Sequence, residues 1–226
     1  MNKLLAECFY FTKSNFGEIF RIFGPYMIFT SLLTPSIELF LESVNYSQVN
    51  FINWILIFTV QTYLMVRFIK FMAFKSSIYK KDETVSWREF LRLFLVQFLY
   101  CLAIILGTFV LIIPGLYIAS KYALADFDVI LNDKPIFLSL SESWKNTEGI
   151  VGRLMLIFVL SCGFDIFISF TIEPPEDAST LLYFVTETLR GLISYSLMIF
   201  TYIIYFRVYI EKRLGSGTLK LNTISG

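Results

Sequence analysis

The run LFLVQFLYCLAIILGTFVLI, residues 93–112, extends for twenty residues without a charged side chain. An α-helix rises about 1.5 Å per residue, so such a run covers the roughly 30 Å of hydrocarbon in a bilayer. Five comparable stretches accompany it, at about 22–41, 51–71, 116–131, 153–172 and 189–206. With no water in the bilayer core, the backbone must satisfy its own N–H and C=O groups, which only helices and closed barrels achieve. Barrel strands read as alternating segments of about ten residues, whereas these runs are continuous. The expected fold is an all-α membrane protein, a bundle of six transmembrane helices. Composition agrees: 56% of the 226 residues are apolar and 25 are Phe, more than a water-soluble surface accommodates.

The connections set the orientation. Segments 42–50 (ESVNYSQVN), 113–115 (IPG) and 173–180 (EPPEDAST) contain neither Lys nor Arg. Every other basic residue except Lys121 and Arg190 falls in the termini, in the remaining connections or at the span ends beside them. Basic loops stay in the cytoplasm, so both termini are expected inside a bacterial inner membrane. The reading is one integral membrane domain over residues 1–213, with hairpins at 22–71, 93–131 and 153–206 and a cytoplasmic tail at 214–226. The first twenty residues lack an unbroken apolar stretch and a small-residue cleavage site, so no cleaved leader is expected.

Short amphipathic helices are expected on the cytoplasmic side. In segment 3–20, Leu5, Phe9, Phe16 and Phe20 share a face with Phe23. In VSWREF, Ser86 and Glu89 have capping-box spacing and Val85 and Phe90 the spacing of a hydrophobic staple. That helix is expected to run on into the third span. In PIFLSLSESWKNTEG, Ile136, Phe137, Leu140 and Trp144 share a face, and Gly149 is placed as a C-cap. These segments would anchor span ends at the interface or meet lipids and partners there. Each precedes one helical hairpin.

Three charges fall inside apolar runs: Lys121, Asp126 and Asp165. Charges at membrane depth face the bundle interior and find partners there. If residues 113–115 form the outer turn, with Pro114 ending the helix and Gly115 free to take positive φ, Lys121 lies about 9 Å deep. Asp165 lies about 12 Å from Glu173 at the same edge. The two are expected to pair, with Asp126 deeper and bonded to Tyr, Ser or Thr; the alternative is a Lys121 that snorkels to the outer headgroups. Asp128 and Asp133 are expected to mark the water interface.

Chemistry is otherwise sparse. The chain has no His, which removes His-activated nucleophiles and HExxH metal sites. Asp126 and Asp128 are two apart on a helix and diverge, a poor geometry for Mg²⁺. Cys8, Cys101 and Cys162 are odd in number and widely spaced, which indicates neither a disulfide framework nor zinc. A net charge of +1 leaves no footprint for nucleic acid. No enzyme activity, cofactor or metal is expected.

The ordered set LIIPGLYIASKYALADFDVILND, then SLSESWKNTEG, then the ending FTYIIYFRVYIEKR, resembles the YciC family of small bacterial inner-membrane proteins. The likeness spans residues 93–213, and the first 90 by hydropathy alone. It implies a polytopic inner-membrane protein and carries no catalytic residue onto this chain. The expected function is a non-catalytic factor that stabilises or regulates envelope proteins or the bilayer. The alternative is a small transporter or channel using Lys121, Asp126 and Asp165. Membrane lipids are the expected partners, with other inner-membrane proteins or further copies of the chain beside them.

Overall fold

The computed structural model describes residues 2–40, 46–79, 84–175 and 179–215. Helices follow one another along it: α1 (Asn2–Ser14), α2 (Phe16–Phe40), α3 (Tyr46–Lys75), α4 (Trp87–Val110), α5 (Ile112–Tyr122), α6 (Ala125–Leu131), α7 (Ile136–Asn146), α8 (Val151–Thr171) and α9 (Thr180–Gly215). No strand occurs among the described residues. Four helices there are long and apolar enough to cross a membrane: Phe51–Lys75, Trp87–Phe109, Val151–Thr171 and Thr180–Arg213. Part of ESVNYSQVN, part of EPPEDAST, Lys80, Lys81 and the tail beyond Gly215 lie outside the described residues.

Apart from Glu187–Arg190 within α9, the ion pairs among the described residues gather where α3 and α9 end and α4 and α8 begin. Glu18 of α2 meets Lys75 at the end of α3 at 2.7 Å, and Lys70 meets Glu89 at the start of α4 at 2.8 Å. Arg153 at the start of α8 meets Glu211 near the end of α9 at 2.9 Å. Arg92 pairs with Asp133, and Arg213 with Asp128. The start of α4 is formed as the sequence predicts. Ser86 caps it, its side chain accepting from the Arg88 N–H, and the Glu89 carboxylate accepts from the Ser86 N–H at 2.8 Å.

The N-terminal segment carries a second apolar stripe beside the one read from the sequence, and it is this second stripe that the bundle buries. Leu4, Cys8 and Phe11 of α1, then Ile19 and Phe23 of α2, are buried, with the Arg207 guanidinium of α9 over the Phe11 ring. Of the face read from the sequence, Phe23 is in the core, and Leu5, Phe9, Phe16 and Phe20 are exposed. Periodicity marks an apolar stripe without saying what covers it; here the chain offers two stripes, and the bundle takes the other.

The α4–α5 turn is also displaced. Leu111, not residues 113–115, leaves the helix, with extended backbone at φ −164° and ψ 151°. Ile112 already begins α5, so Pro114 falls in its first turn, where a missing N–H costs nothing. Gly115 is needed for contact rather than for conformation. A Cβ on it would run into Thr108, and one on Gly107 would lie 2.7 Å from Ile118 Cδ1 and 3.1 Å from Gly115 Cα. The two glycines let α4 and α5 cross backbone to backbone.

The stretch read as a fourth span from 116 to 131 is two helices, interrupted at Ala123 and Leu124. The second, α6, is enclosed: Ala125 through Ile130 are all buried. Helix α7 and its C-cap bury three hydroxyl residues one turn apart, Ser139, Ser143 and Thr147, and Ser143 bonds to the chain at the break. Of its predicted apolar face, Ile136 and Leu140 pack on the core, whereas Phe137 is exposed. Gly149 follows the C-cap Thr147 in a turn and takes φ +81°, steering the chain into α8.

Candidate functional site

The three charges singled out in the sequence do not share a site. Lys121 ends α5 and is 3% exposed. Its Nζ donates to the Trp144 carbonyl at 3.0 Å and lies over the Trp144 and Tyr117 rings, 5.2 and 5.7 Å from their centroids. In return, the Ser143 hydroxyl donates to the Lys121 carbonyl at 2.7 Å. The break after Lys121 takes that carbonyl out of the helical ladder, and α7 supplies the missing donor. The ammonium meanwhile sits at the C-terminal, negative end of α7.

Asp165 is therefore not the partner of Lys121. It accepts a hydrogen bond from Ser194 of α9. Ser161, one turn away on α8, bonds Thr201 at 2.8 Å. The pairing fails because the ammonium is drawn to the break and to α7, a helix whose contact with α5 could not be read from matching depths.

Asp126 lies on α6 at 4% exposure. Its Oδ2 accepts from Gln97 Nε2 at 3.0 Å and from the Tyr202 hydroxyl at 2.9 Å. Gln97 Oε1 accepts in turn from the Thr62 hydroxyl at 3.0 Å. One carboxyl thus joins α3, α4, α6 and α9. Its Oδ1 is buried without a hydrogen-bond partner.

Asp128 is fully buried rather than at the water interface, while Asp133 is the exposed one. Arg213 and Lys134 pair with Asp128, and Tyr209 and Asn132 donate to it at 3.2 and 2.8 Å. Glu142 of α7 holds the other side of Lys134 and Arg213. This cluster fastens the end of α9 to α6 and α7. As the divergence of two neighbouring helical positions requires, Asp126 and Asp128 serve different partners. Among the described residues, no group of three His, Cys, Asp or Glu side chains is placed to hold a metal ion.

Gln97, Tyr202, Tyr209 and Arg213 did not stand out in the sequence. Two signals mark them in retrospect. Gln97 is the one amide in the uncharged run 93–112, and such residues join helices in lipid. Tyr202, Tyr209 and Arg213 are seven and four apart on α9, hence on one face. Of the cysteines, Cys8 alone is buried; burial pushes its thiol up to about 11, which leaves it unreactive at neutral pH.

Comparison of this chain with known protein families, curated proteins and solved structures gives no match.

Proposed function

We propose that this chain is a six-crossing bacterial inner-membrane protein, as the resemblance to YciC-like proteins implies, acting as a non-catalytic factor that stabilises or regulates envelope proteins or the bilayer. In this reading α2, α3, α4, the α5–α6 pair, α8 and α9 each cross once, and the basic end with both termini is cytoplasmic. The observation that carries it is how the intramembrane charges are used. Lys121 bonds to α7, Asp126 to α4 and α9, and Asp165 to α9 at another level, so the three tie the bundle at separate points rather than line a common path. The exposed Phe9, Phe16 and Phe20, flanked by exposed Lys3, Lys13 and Arg21, suit a helix resting in an anionic cytoplasmic leaflet.

Affinity purification in mild detergent, with mass spectrometry of retained proteins and lipids, tests this function. A stoichiometric envelope protein or a defined lipid is the expected result, and a retained small solute opposes it. A second reading, a small transporter or channel, is favoured by the interruption at Ala123–Leu124. Broken helices with buried charge recur at transport sites. Uptake or efflux by reconstituted vesicles would support it.

A further inference from the structure

We propose that the groove between α3 and the start of α4 binds an anionic phospholipid of the cytoplasmic leaflet: one acyl chain lies in the groove, and Arg67 and Arg88 hold the phosphate at its mouth. This site rests on the membrane reading above, in that α3 and α4 must cross the bilayer with their joined ends in the cytoplasm, and on no particular activity.

The groove holds about 400 Å³ and is walled by Val60 and Tyr63 of α3, by Val85, and by Trp87 and Phe90 at the start of α4. Its two hydroxyl residues are already bonded, Thr59 to the Ile55 carbonyl at 2.7 Å and Ser86 to the Arg88 N–H at 3.4 Å. What remains is a hydrocarbon surface, and Val60, Tyr63 and Trp87 are exposed along it. Such a concavity takes an apolar chain.

The charges at its mouth say which lipid. Val60, Tyr63 and Arg67 follow at three and four residues, so Arg67 stands one turn beyond the groove on the same face of α3. Arg88 adjoins Trp87 and is exposed. Neither arginine has an ion pair among the described residues, although the cations around them do. Lys70 holds Glu89, Lys75 holds Glu18 and Arg92 holds Asp133. Lys80, Lys81, Asp82 and Glu83 of the connection cancel in charge and lie outside the described residues. Two guanidinium groups without a carboxylate, above an apolar groove, match a phosphodiester whose chains enter the bilayer. A zwitterionic lipid brings its own cation against these arginines; an anionic one does not. A free phosphate leaves the groove unfilled.

The test reads which lipid sits beside Trp87. The full chain is reconstituted in phosphatidylcholine vesicles in which one lipid in ten carries brominated chains, either phosphatidylglycerol or phosphatidylcholine. The Trp87 emission is taken as the difference from Trp87→Phe. Each cation beside an anionic headgroup is worth about a fivefold preference. Brominated phosphatidylglycerol is therefore expected to quench Trp87 strongly, and brominated phosphatidylcholine only as its share of the bulk predicts. Arg67→Gln and Arg88→Gln are each expected to lower the preference about fivefold. Equal quenching by the two lipids in the wild-type protein overturns the proposal without recourse to any variant. So does a preference that survives Arg67→Gln/Arg88→Gln, which would place the anion elsewhere. A Trp87 that neither lipid quenches, as when a second copy or another protein covers the groove, overturns it equally. An envelope protein or a different lipid retained on purification would leave the proposed function standing while these results remove the site.

Discussion

At the scale of single residues, partner choice decides what a buried charge costs. Lys121 gives its charge to a helix end and its carbonyl to a hydroxyl of the same helix. Lys121→Met removes the ammonium's hydrogen bond to the Trp144 carbonyl, which keeps the Thr147 hydroxyl at 3.1 Å, and is expected to cost about 1–3 kcal/mol. Because Asp165 is bonded to Ser194 instead, Lys121→Met and Asp165→Asn are expected to lower thermal stability additively; a double variant milder than the sum would restore the pairing expected from depth. Asp128→Ala takes from Arg213 and Lys134 the buried carboxylate they share, leaving Glu142 and a void beside them, and is expected to cost about 3–5 kcal/mol, read as lost folded yield or a lower unfolding midpoint. Lys121 and Asp126 stood out as charges in an apolar run, but an internal Lys121 and one reaching the headgroups were both open, since its long stem allows either. A tyrosine on Asp126 was expected and Tyr202 is there, but Trp144 contributes a backbone carbonyl and Gln97 hides in an apolar run, and neither marks its target in the sequence.

At the scale of elements, local signals were read well and tertiary ones less so. The Ser86–Glu89 capping box depends on spacing alone and is formed; Ser86→Ala is expected to cost about 1 kcal/mol. The α4–α5 turn depends on which residue leaves the helix, and a Pro-Gly pair fits the first turn of a helix as well as a hairpin corner. Gly107→Val and Gly115→Val are therefore both expected to reduce folded yield, since each Cβ meets the facing helix, while Gly163→Val, with open space around it, is tolerated. A loss confined to Gly115 would place the strain in the turn and not in the crossing. The break at Ala123–Leu124 left no mark, because neither residue is a helix breaker. It persists because Ser143 satisfies the freed carbonyl and α6 is enclosed by its neighbours.

At the scale of the whole molecule, charge alternation along the chain and ion pairing in space agree on one basic end. Lys75, Lys70, Arg92, Arg153 and Arg213 come from distant segments and meet their carboxylates there. The account turns on whether α2 and the α5–α6 pair cross the bilayer along with the four longer apolar helices. Labelling single cysteines in an otherwise Cys-free protein with a membrane-impermeant thiol reagent decides it. Six crossings put Ser77→Cys and Glu148→Cys on the cytoplasmic side, silent in intact spheroplasts and labelled after lysis, and Ser179→Cys outside, labelled at once. If only the four longer helices cross, Ser77→Cys and Ser179→Cys label alike and Glu148→Cys labels oppositely, and the six-crossing account is wrong.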